Sequence, residues 1–131
     1  VPGFVANRLQ FALFREAAHL IDEGVVAAED VDTIVTAGLG PRWAALGPIR
    51  TADMAGLDVF LAISSYLFRS LSAATEPPRS LRERVARGEL GVKSGRGYYP
   101  WPDEAVREYT RRRDAELARR LQGRGGDPRG R

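Results

Sequence analysis

The first two dozen residues place the strongest constraint on how this chain can fold. Pro2 and Gly3 favour the start of a helix, and Gly24 favours its end. Between them, apolar side chains repeat at helical spacing along two adjacent stripes. The first stripe consists of Phe4, Phe11, Phe14, Ala18 and Ile21, and the second of Val5, Leu9, Ala12, Leu13 and Leu20. Because a helix with two apolar stripes needs neighbours on both sides, we expect it at the centre of a helical bundle.

Helical patterns continue after Gly24. Glu29 and Asp30 suit the positive first turn of a short helix over residues 28–35, which we expect to end at Gly38 or Gly40. The segment 38–43 that follows is rich in helix breakers but also carries an arginine and a tryptophan. It is typical either of a buried turn or of a rim that contacts another molecule.

A second long helix is predicted to open at Gly47-Pro48 and to continue to Leu71. Gly56 would allow a neighbouring backbone to approach closely, and Asp53 and Asp58 suit the positive end of this helix. Its apolar stripe makes it the natural antiparallel companion of the first helix. The predicted fold class is therefore all-α, a helical bundle with two long core helices.

The C-terminal third is predicted to contain two further helices separated by a loop. Ser80 and Glu83 have the spacing of a capping box at the start of the first of them. The glycine-rich stretch 88–97 matches neither the P-loop nor the dinucleotide fingerprint. We interpret it mainly as a turn that packs Tyr98, Tyr99 and Trp101 against the bundle.

The last predicted helix runs over residues 102–121 and is strongly charged. Its arginines alternate with acidic residues, which favours salt pairing on a solvated surface. A basic tail can also bind nucleic acid or acidic lipid, but no aromatic ladder that could stack bases follows Tyr109. Residues 123–131 contain mainly Gly, Pro and Arg, and we expect them to be disordered.

Composition limits the remaining possibilities. The chain has 131 residues, enough for one modest domain with a core. It contains no cysteine, so disulfides and thiolate metal sites are excluded, and we predict no metal site. No apolar run is long enough to span a membrane and no signal peptide is recognisable, which favours a cytoplasmic protein. Because the sequence begins at Val1 without a methionine, we expect it to be part of a longer chain.

Three motifs together resemble the C-terminal domain of the L-3-hydroxyacyl-CoA dehydrogenases. They are Val-Pro-Gly-Phe-Val-Ala-Asn-Arg at 1–8, Gly-Pro-Ile-Arg-Thr-Ala-Asp-Met-Ala-Gly-Leu-Asp at 47–58, and Leu-Gly-Val-Lys-Ser-Gly-Arg-Gly-Tyr-Tyr at 90–99. The turn 38–42 and the tail are more similar to the branch that contains L-gulonate 3-dehydrogenase and lambda-crystallin. The resemblance implies a helical domain like that of 6-phosphogluconate dehydrogenase, following a Rossmann domain that binds NAD. Such enzymes oxidise a 3-hydroxyl to a ketone.

The resemblance also implies roles for individual residues. Asn7 matches an asparagine that positions the substrate and the catalytic histidine; the alternative is an amide that caps the first turn or joins a buried network. Arg8 is expected to be structural, pairing with Asp53 or Asp58. His19, the only histidine, has the wrong surroundings for the catalytic base, which the family carries in its first domain. The chain alone is therefore expected to be inactive.

Two cationic residues are candidate substrate ligands. Arg42 could bind the carboxylate of a free 3-hydroxy acid through a bidentate guanidinium fork, the alternative being a helix-end or surface role. Lys93 could reach the phosphates of CoA.

The predicted organisation assigns residues 1–101 to the substrate-cleft and dimerisation domain, 102–122 to a charged tail helix and 123–131 to the tail. The expected partners are the Rossmann domain, a second copy of the chain, and a 3-hydroxyacyl-CoA or 3-hydroxy acid substrate, but neither nucleic acid nor a membrane. A free-standing helical dimerisation module remains the alternative.

Overall fold

A computed structural model describes residues 1–125 and confirms the all-α fold class. Helices account for most of the described chain, with a π-helical turn, a short 3₁₀ turn and two isolated bridges between them. The chain divides into two compact units, the first spanning Val1–Glu83 and the second beginning at Arg84. The helices are α1 (Pro2–Asp22), α2 (Ala28–Ile34), α3 (Gly40–Leu46), α4 (Pro48–Ala55), α5 (Leu57–Leu67), α6 (Arg79–Ala86) and α7 (Asp103–Gly125).

Helix α1 begins and ends where its sequence predicts. Pro2 occupies the first helical position, and Gly24 adopts a φ of 72° just beyond the last turn. The expectation that neighbours surround α1 is wrong for the described chain. Only Ala18 is buried on this helix, whereas Phe4 is 66% and Phe11 61% exposed. The elements of the first unit that pack most closely are neighbours in sequence, and α1 packs mainly on the short helix α2.

The segment predicted as a turn before Trp43 is helical instead. Residues Val35–Leu39 form a π-helical turn in which the Gly40 amide donates to the Val35 carbonyl, and α3 follows directly. A Cβ at Gly40 would lie only 2.8 Å from that carbonyl oxygen, so glycine permits the approach. Pro41 is tolerated because it lies in the first turn of α3, where its missing N–H needs no partner within the helix.

The second long helix of the prediction is two helices, α4 and α5. Gly56 separates them with a φ of 109°, a conformation that costs a side-chain-bearing residue considerable strain. Asp58 lies in the first turn of α5, as the dipole argument requires, but Asp53 lies near the end of α4 and has no such role. Of the pair of long helices expected at the core, only α1 is continuous.

A strap formed by residues 72–78 connects α5 to α6 and is bound to α1 through main-chain groups. The Ser72 amide donates to Oε2 of Glu16 at 2.7 Å, and Arg15 donates to the carbonyl of Ala74 at 3.3 Å. Immediately after the strap, the Ser80 amide donates to Oδ2 of Asp22 at 3.3 Å. Asp22 therefore places a carboxylate at the N-terminus of α6, where the helix dipole favours negative charge.

The second unit is organised around the glycine-rich loop. Gly91 pairs with Arg96 in an isolated bridge, and a Cβ at Gly97 would lie 2.9 Å from the Cα of Gly91. The guanidinium of Arg84 stacks over the Tyr98 ring at 4.2 Å. The other aromatics form a chain of edge contacts, Tyr99 to Trp101 at 6.5 Å and Trp101 to Tyr109 of α7 at 5.4 Å.

Helix α7 extends to Gly125, so residues 123–125 are helical where disorder was expected. The rest of that prediction, residues 126–131, lies outside the described residues. The α7 side chains are largely exposed, as the mixed charge pattern predicts. No helix in residues 1–125 is both long enough and apolar enough to cross a bilayer.

Very little of the described chain is buried. Ala18 and Ala52 are the buried apolar side chains among the described residues, and Ser80 is the buried polar one. The core expected for a chain of this length is therefore missing from the described part. Helix α5 carries no buried residue although it is the most apolar helix. Its side chains need a covering that residues 1–125 do not provide.

Candidate functional site

Asn7 lies on the second turn of α1 with an exposed side chain. Its amide makes no hydrogen bond to any residue of the described chain. It therefore neither caps the first turn nor joins a buried network here, which removes both structural alternatives for residues 1–125. An amide of this kind can donate to a ketone oxygen or accept from a hydroxyl without changing its charge.

Arg8 does not form the ion pair expected with Asp53 or Asp58. No carboxylate of the described residues lies within ion-pair distance, and its guanidinium instead stacks against the Phe4 ring at 5.7 Å. Asp53 and Asp58 lie on two separate helices, α4 and α5, and not on the single long helix that was predicted. The charge of Arg8 consequently has no counter-ion within residues 1–125.

Arg42 lies in the first turn of α3 with an exposed side chain. Its Nε donates to the Gly38 carbonyl at 3.1 Å, one turn back along the chain. This single hydrogen bond orients the guanidinium and leaves its two terminal nitrogens without a partner in the described chain. Arg42 thus combines a helix-end contact with terminal donors that are available to an anion.

Lys93 belongs to the second unit, whereas Asn7 and Arg42 belong to the first. It lies in the 3₁₀ turn Val92–Ser94, with an exposed side chain that makes no ion pair in the described residues. The adjacent Ser94 stabilises the loop, since its hydroxyl accepts a hydrogen bond from the Leu90 amide at 2.7 Å.

Two grooves are lined by residues of the strap and of α1, and the sequence predicted neither. The polar groove has a volume of about 520 Å³ and is lined by charged side chains together with strap residues. His19, Asp22 and Arg79 line it, which places the half-buried His19 in a structural setting. Arg79 donates to the Asp22 carbonyl at 3.2 Å. Oδ1 of Asp22 is buried without a hydrogen-bond partner in the described chain, while Oδ2 accepts from Ser80.

The second groove, the apolar groove, has a volume of about 530 Å³ and shares several strap residues with the polar groove. Two phenylalanines of α1 line it, with ring centroids 6.3 Å apart in an edge-on arrangement. Neither Asn7 nor Arg42 lines this groove or the polar groove. The apolar groove is lined by Arg8, Phe11, Ala12, Phe14, Arg15, Ala74, Thr75, Glu76, Pro77, Pro78 and Leu81.

The ion pairs found in the described residues all lie in the second unit. In the second unit several carboxylates pair with arginines; Glu108, for example, contacts Arg111 at 2.6 Å and Arg112 at 3.1 Å. Hydrogen bonds from Arg112 and the positive charge of Arg111 lower the pKa of Glu108 below its ordinary value. A hydrogen bond from Arg119 likewise lowers the pKa of Glu116, and that contact raises the pKa of Arg119.

The glycine-rich loop carries a similar pair. Glu89 contacts Arg87 at 3.1 Å, and the hydrogen bond from Arg87 lowers the pKa of this carboxyl below its ordinary value. In each of these ion pairs an arginine contacts a carboxylate at the surface of the second unit. The solvated interpretation of the tail helix is therefore supported by its contacts.

The family model for the C-terminal domain of 3-hydroxyacyl-CoA dehydrogenase matches residues 3–101. The chain belongs to this family. The match covers most of the chain and includes residues 3–8 of the first motif and the whole of the other two motifs from which the resemblance was drawn. It includes Asn7, Arg42 and Lys93, while most of α7 lies beyond its end.

Several relatives support this family assignment. The chain is 40% identical over 121 residues to 5-formyl-3-hydroxy-2-methylpyridine 4-carboxylate 5-dehydrogenase of Mesorhizobium japonicum, covering 92% of the chain and 38% of that enzyme. It is 36% identical over 104 residues to a probable 3-hydroxybutyryl-CoA dehydrogenase of Bacillus subtilis, covering 79% of the chain and 35% of that protein. It is also 52% identical over 56 residues to L-carnitine dehydrogenase of Streptomyces coelicolor, covering 43% of the chain and 18% of that enzyme.

A solved structure extends the comparison to the fold. The chain matches a crystal structure of 5-formyl-3-hydroxy-2-methylpyridine 4-carboxylic acid 5-dehydrogenase, an NAD⁺-dependent dismutase, with a TM-score of 0.86 and 38% identity. That match covers 92% of the chain and 40% of the solved chain. The chain thus spans well under half the length of these relatives.

Proposed function

We propose that this chain forms one wall of the substrate cleft, and the dimerisation surface, of an NAD-dependent 3-hydroxyacyl-CoA dehydrogenase. The whole enzyme oxidises the 3-hydroxyl of its substrate to a ketone in fatty acid metabolism, in the cytoplasm. A preceding Rossmann domain binds NAD, which accepts the hydride. The observation that carries the proposal is the family match over residues 3–101. NAD dependence is supported by the similar solved enzyme, which is described as NAD⁺ dependent.

Asn7 is the residue that this domain contributes to the reaction. Its exposed and unpartnered amide is available to the substrate oxygen and to a histidine base of the preceding domain. Because an amide neither gains nor loses a proton near neutral pH, it can hold both partners without competing for the proton that the base removes. The proton and hydride transfers themselves belong to the preceding domain, so this chain alone is inactive.

Lys93 is the proposed ligand of the CoA phosphates. It is an exposed cation with no counter-ion in the described chain, at the tip of a tight turn. Phosphate groups would supply the charge that it lacks.

A second candidate substrate is a free acid, and the similarity to an enzyme named for a 4-carboxylate favours it. Arg42 would then be the carboxylate ligand, since its terminal nitrogens have no other partner in the described residues. The L-gulonate type of 3-hydroxy acid is the example implied by the resemblance. A thioester has no such carboxylate, so Arg42 would be dispensable for it.

The test is an NADH-production assay on the full-length protein that contains this chain, with 3-hydroxybutyryl-CoA and L-gulonate compared side by side. We expect Asn7→Ala to lower kcat/KM roughly 10- to 1000-fold while changing thermal stability little. Loss of activity that only parallels loss of stability would contradict the role of Asn7. Arg42→Met should raise the KM for L-gulonate and leave the KM for 3-hydroxybutyryl-CoA unchanged. Lys93→Met should have the opposite effect, raising only the KM for 3-hydroxybutyryl-CoA. Absence of dehydrogenase activity on both substrates would contradict the proposed function.

A further inference from the structure

The apolar groove combines an exposed hydrophobic surface with two arginines that form no ion pair in the described chain. Phe11 is 61% exposed on one wall, and the half-buried Phe14 and Leu81 lie beside it. The groove is open to solvent and has a volume of about 530 Å³. A hydrocarbon group that displaces water from exposed aromatic surface of this kind lowers the free energy of the system.

The charges of the groove are arranged along α1. Arg8 and Arg15 line it seven residues apart, which corresponds to two helical turns or about 10.5 Å. Neither arginine forms an ion pair in the described chain: Arg8 stacks on Phe4, and Arg15 donates to the Ala74 carbonyl. Glu16 is the sequence neighbour of Arg15, but its carboxylate accepts the Ser72 amide.

The balance of charge selects a monoanion. Two guanidinium groups and the single carboxylate of Glu76 line the groove, which leaves one net positive charge. A guanidinium fork binds a carboxylate in bidentate fashion. We propose that the apolar groove binds a monocarboxylate with a hydrocarbon body, the body lying on Phe11 and Phe14 and the carboxylate against an arginine. Asn7 is not among the residues that line this groove.

The test is calorimetric titration of the full-length protein, without NAD, with octanoate as the probe. We expect one octanoate per chain, and we expect 1-octanol and acetate to bind at least roughly fivefold more weakly, because each lacks one of the two recognised groups. Phe11→Ala should weaken octanoate binding roughly fivefold or more, since it removes exposed apolar surface rather than core. Arg8→Gln should weaken it roughly two- to fivefold, and added salt should reduce that difference.

Matched controls come from exposed residues that do not line the groove. Arg50→Gln removes an exposed arginine of α4, and Met54→Ala removes an apolar side chain that is 79% exposed. Both should leave octanoate binding unchanged, as should Asn7→Ala. Loss of binding in Asn7→Ala would place octanoate in the proposed cleft and overturn the inference without affecting the dehydrogenase proposal.

Three other results would also overturn the inference. The first is absence of octanoate binding, and the second is equal affinity in the groove variants and the controls. The third is a Phe11→Ala variant that changes the oligomeric state and not octanoate affinity, because the groove would then be a contact between copies of the chain.

Discussion

At the scale of single residues, glycines at helix junctions determine the course of the backbone in the first unit. Gly40 lies where α3 continues the π-helical turn, and Gly56 lies where α4 ends and α5 begins. The sequence identifies both as positions of conformational freedom. It does not say whether a glycine ends a helix, as at Gly56, or allows a carbonyl to approach, as at Gly40. Those outcomes depend on the distance to Val35 and on the backbone angle at Gly56.

Gly40→Ala should destabilise the full-length protein by about 1–3 kcal/mol, because the new Cβ would lie 2.8 Å from the Val35 carbonyl oxygen. Gly38→Ala is the matched control. A Cβ there meets only a terminal nitrogen of Arg42, at 3.8 Å, so the free energy of unfolding should change by less than about 1 kcal/mol. Denaturant unfolding measures both. Equal effects of the two substitutions would show that the π-helical turn does not need the close approach.

At the scale of elements, α7 follows from local pattern more directly than any other helix. Most ion pairs in the described part of α7 join residues three or four apart, such as Glu108 with Arg112 and Glu116 with Arg120. This spacing is visible in the sequence and needs no knowledge of the rest of the fold. The single residues of the candidate site differ in this respect: the family motif identified Asn7, but nothing in the sequence indicated that its amide would lack a partner.

The lowered pKa of Glu108 gives the helix a predictable response to acid. Because the folded-state pKa lies below the ordinary value of 4.5, the stabilisation is complete above that value and is lost as the pH falls through the lowered pKa. Carbon-13 NMR titration of the full-length protein should therefore find Glu108 titrating below its ordinary value. Arg112→Gln should move the midpoint back towards it, since Arg112 supplies the leading contribution. An unchanged midpoint in that variant would contradict the assignment.

At the scale of the whole molecule, exposed apolar surface is the dominant feature. Helix α5 exposes Leu57, Leu61 and Tyr66 by 61%, 70% and 65%, and no residue of this helix is buried. At about 25 cal/mol per Å² of apolar area, leaving such a helix in water forfeits much of the free energy that normally stabilises a domain. This is why we propose that α5 forms the dimerisation surface.

Leu61→Glu should shift the full-length protein from dimer towards monomer, because it would place a charge in the proposed interface. Leu121→Glu is the matched control, since Leu121 of α7 is similarly exposed, at 66%. Sedimentation velocity at several protein concentrations measures both variants. A stable dimer in Leu61→Glu, or equal dissociation in the two variants, would assign the interface to another surface.

The sequence by itself determined the helical class, the limits of α1 between Pro2 and Gly24, and the ion-paired surface of α7. Each depends on interactions between residues a few positions apart, which periodicity and spacing record. The tertiary structure decided how the strap binds to α1, through Glu16 with Ser72 and Asp22 with Ser80, pairs 56 and 58 residues apart. It also decided where the grooves lie. Such contacts arise only when distant segments meet, because any carboxylate can accept from any amide and the sequence does not specify which pair will form.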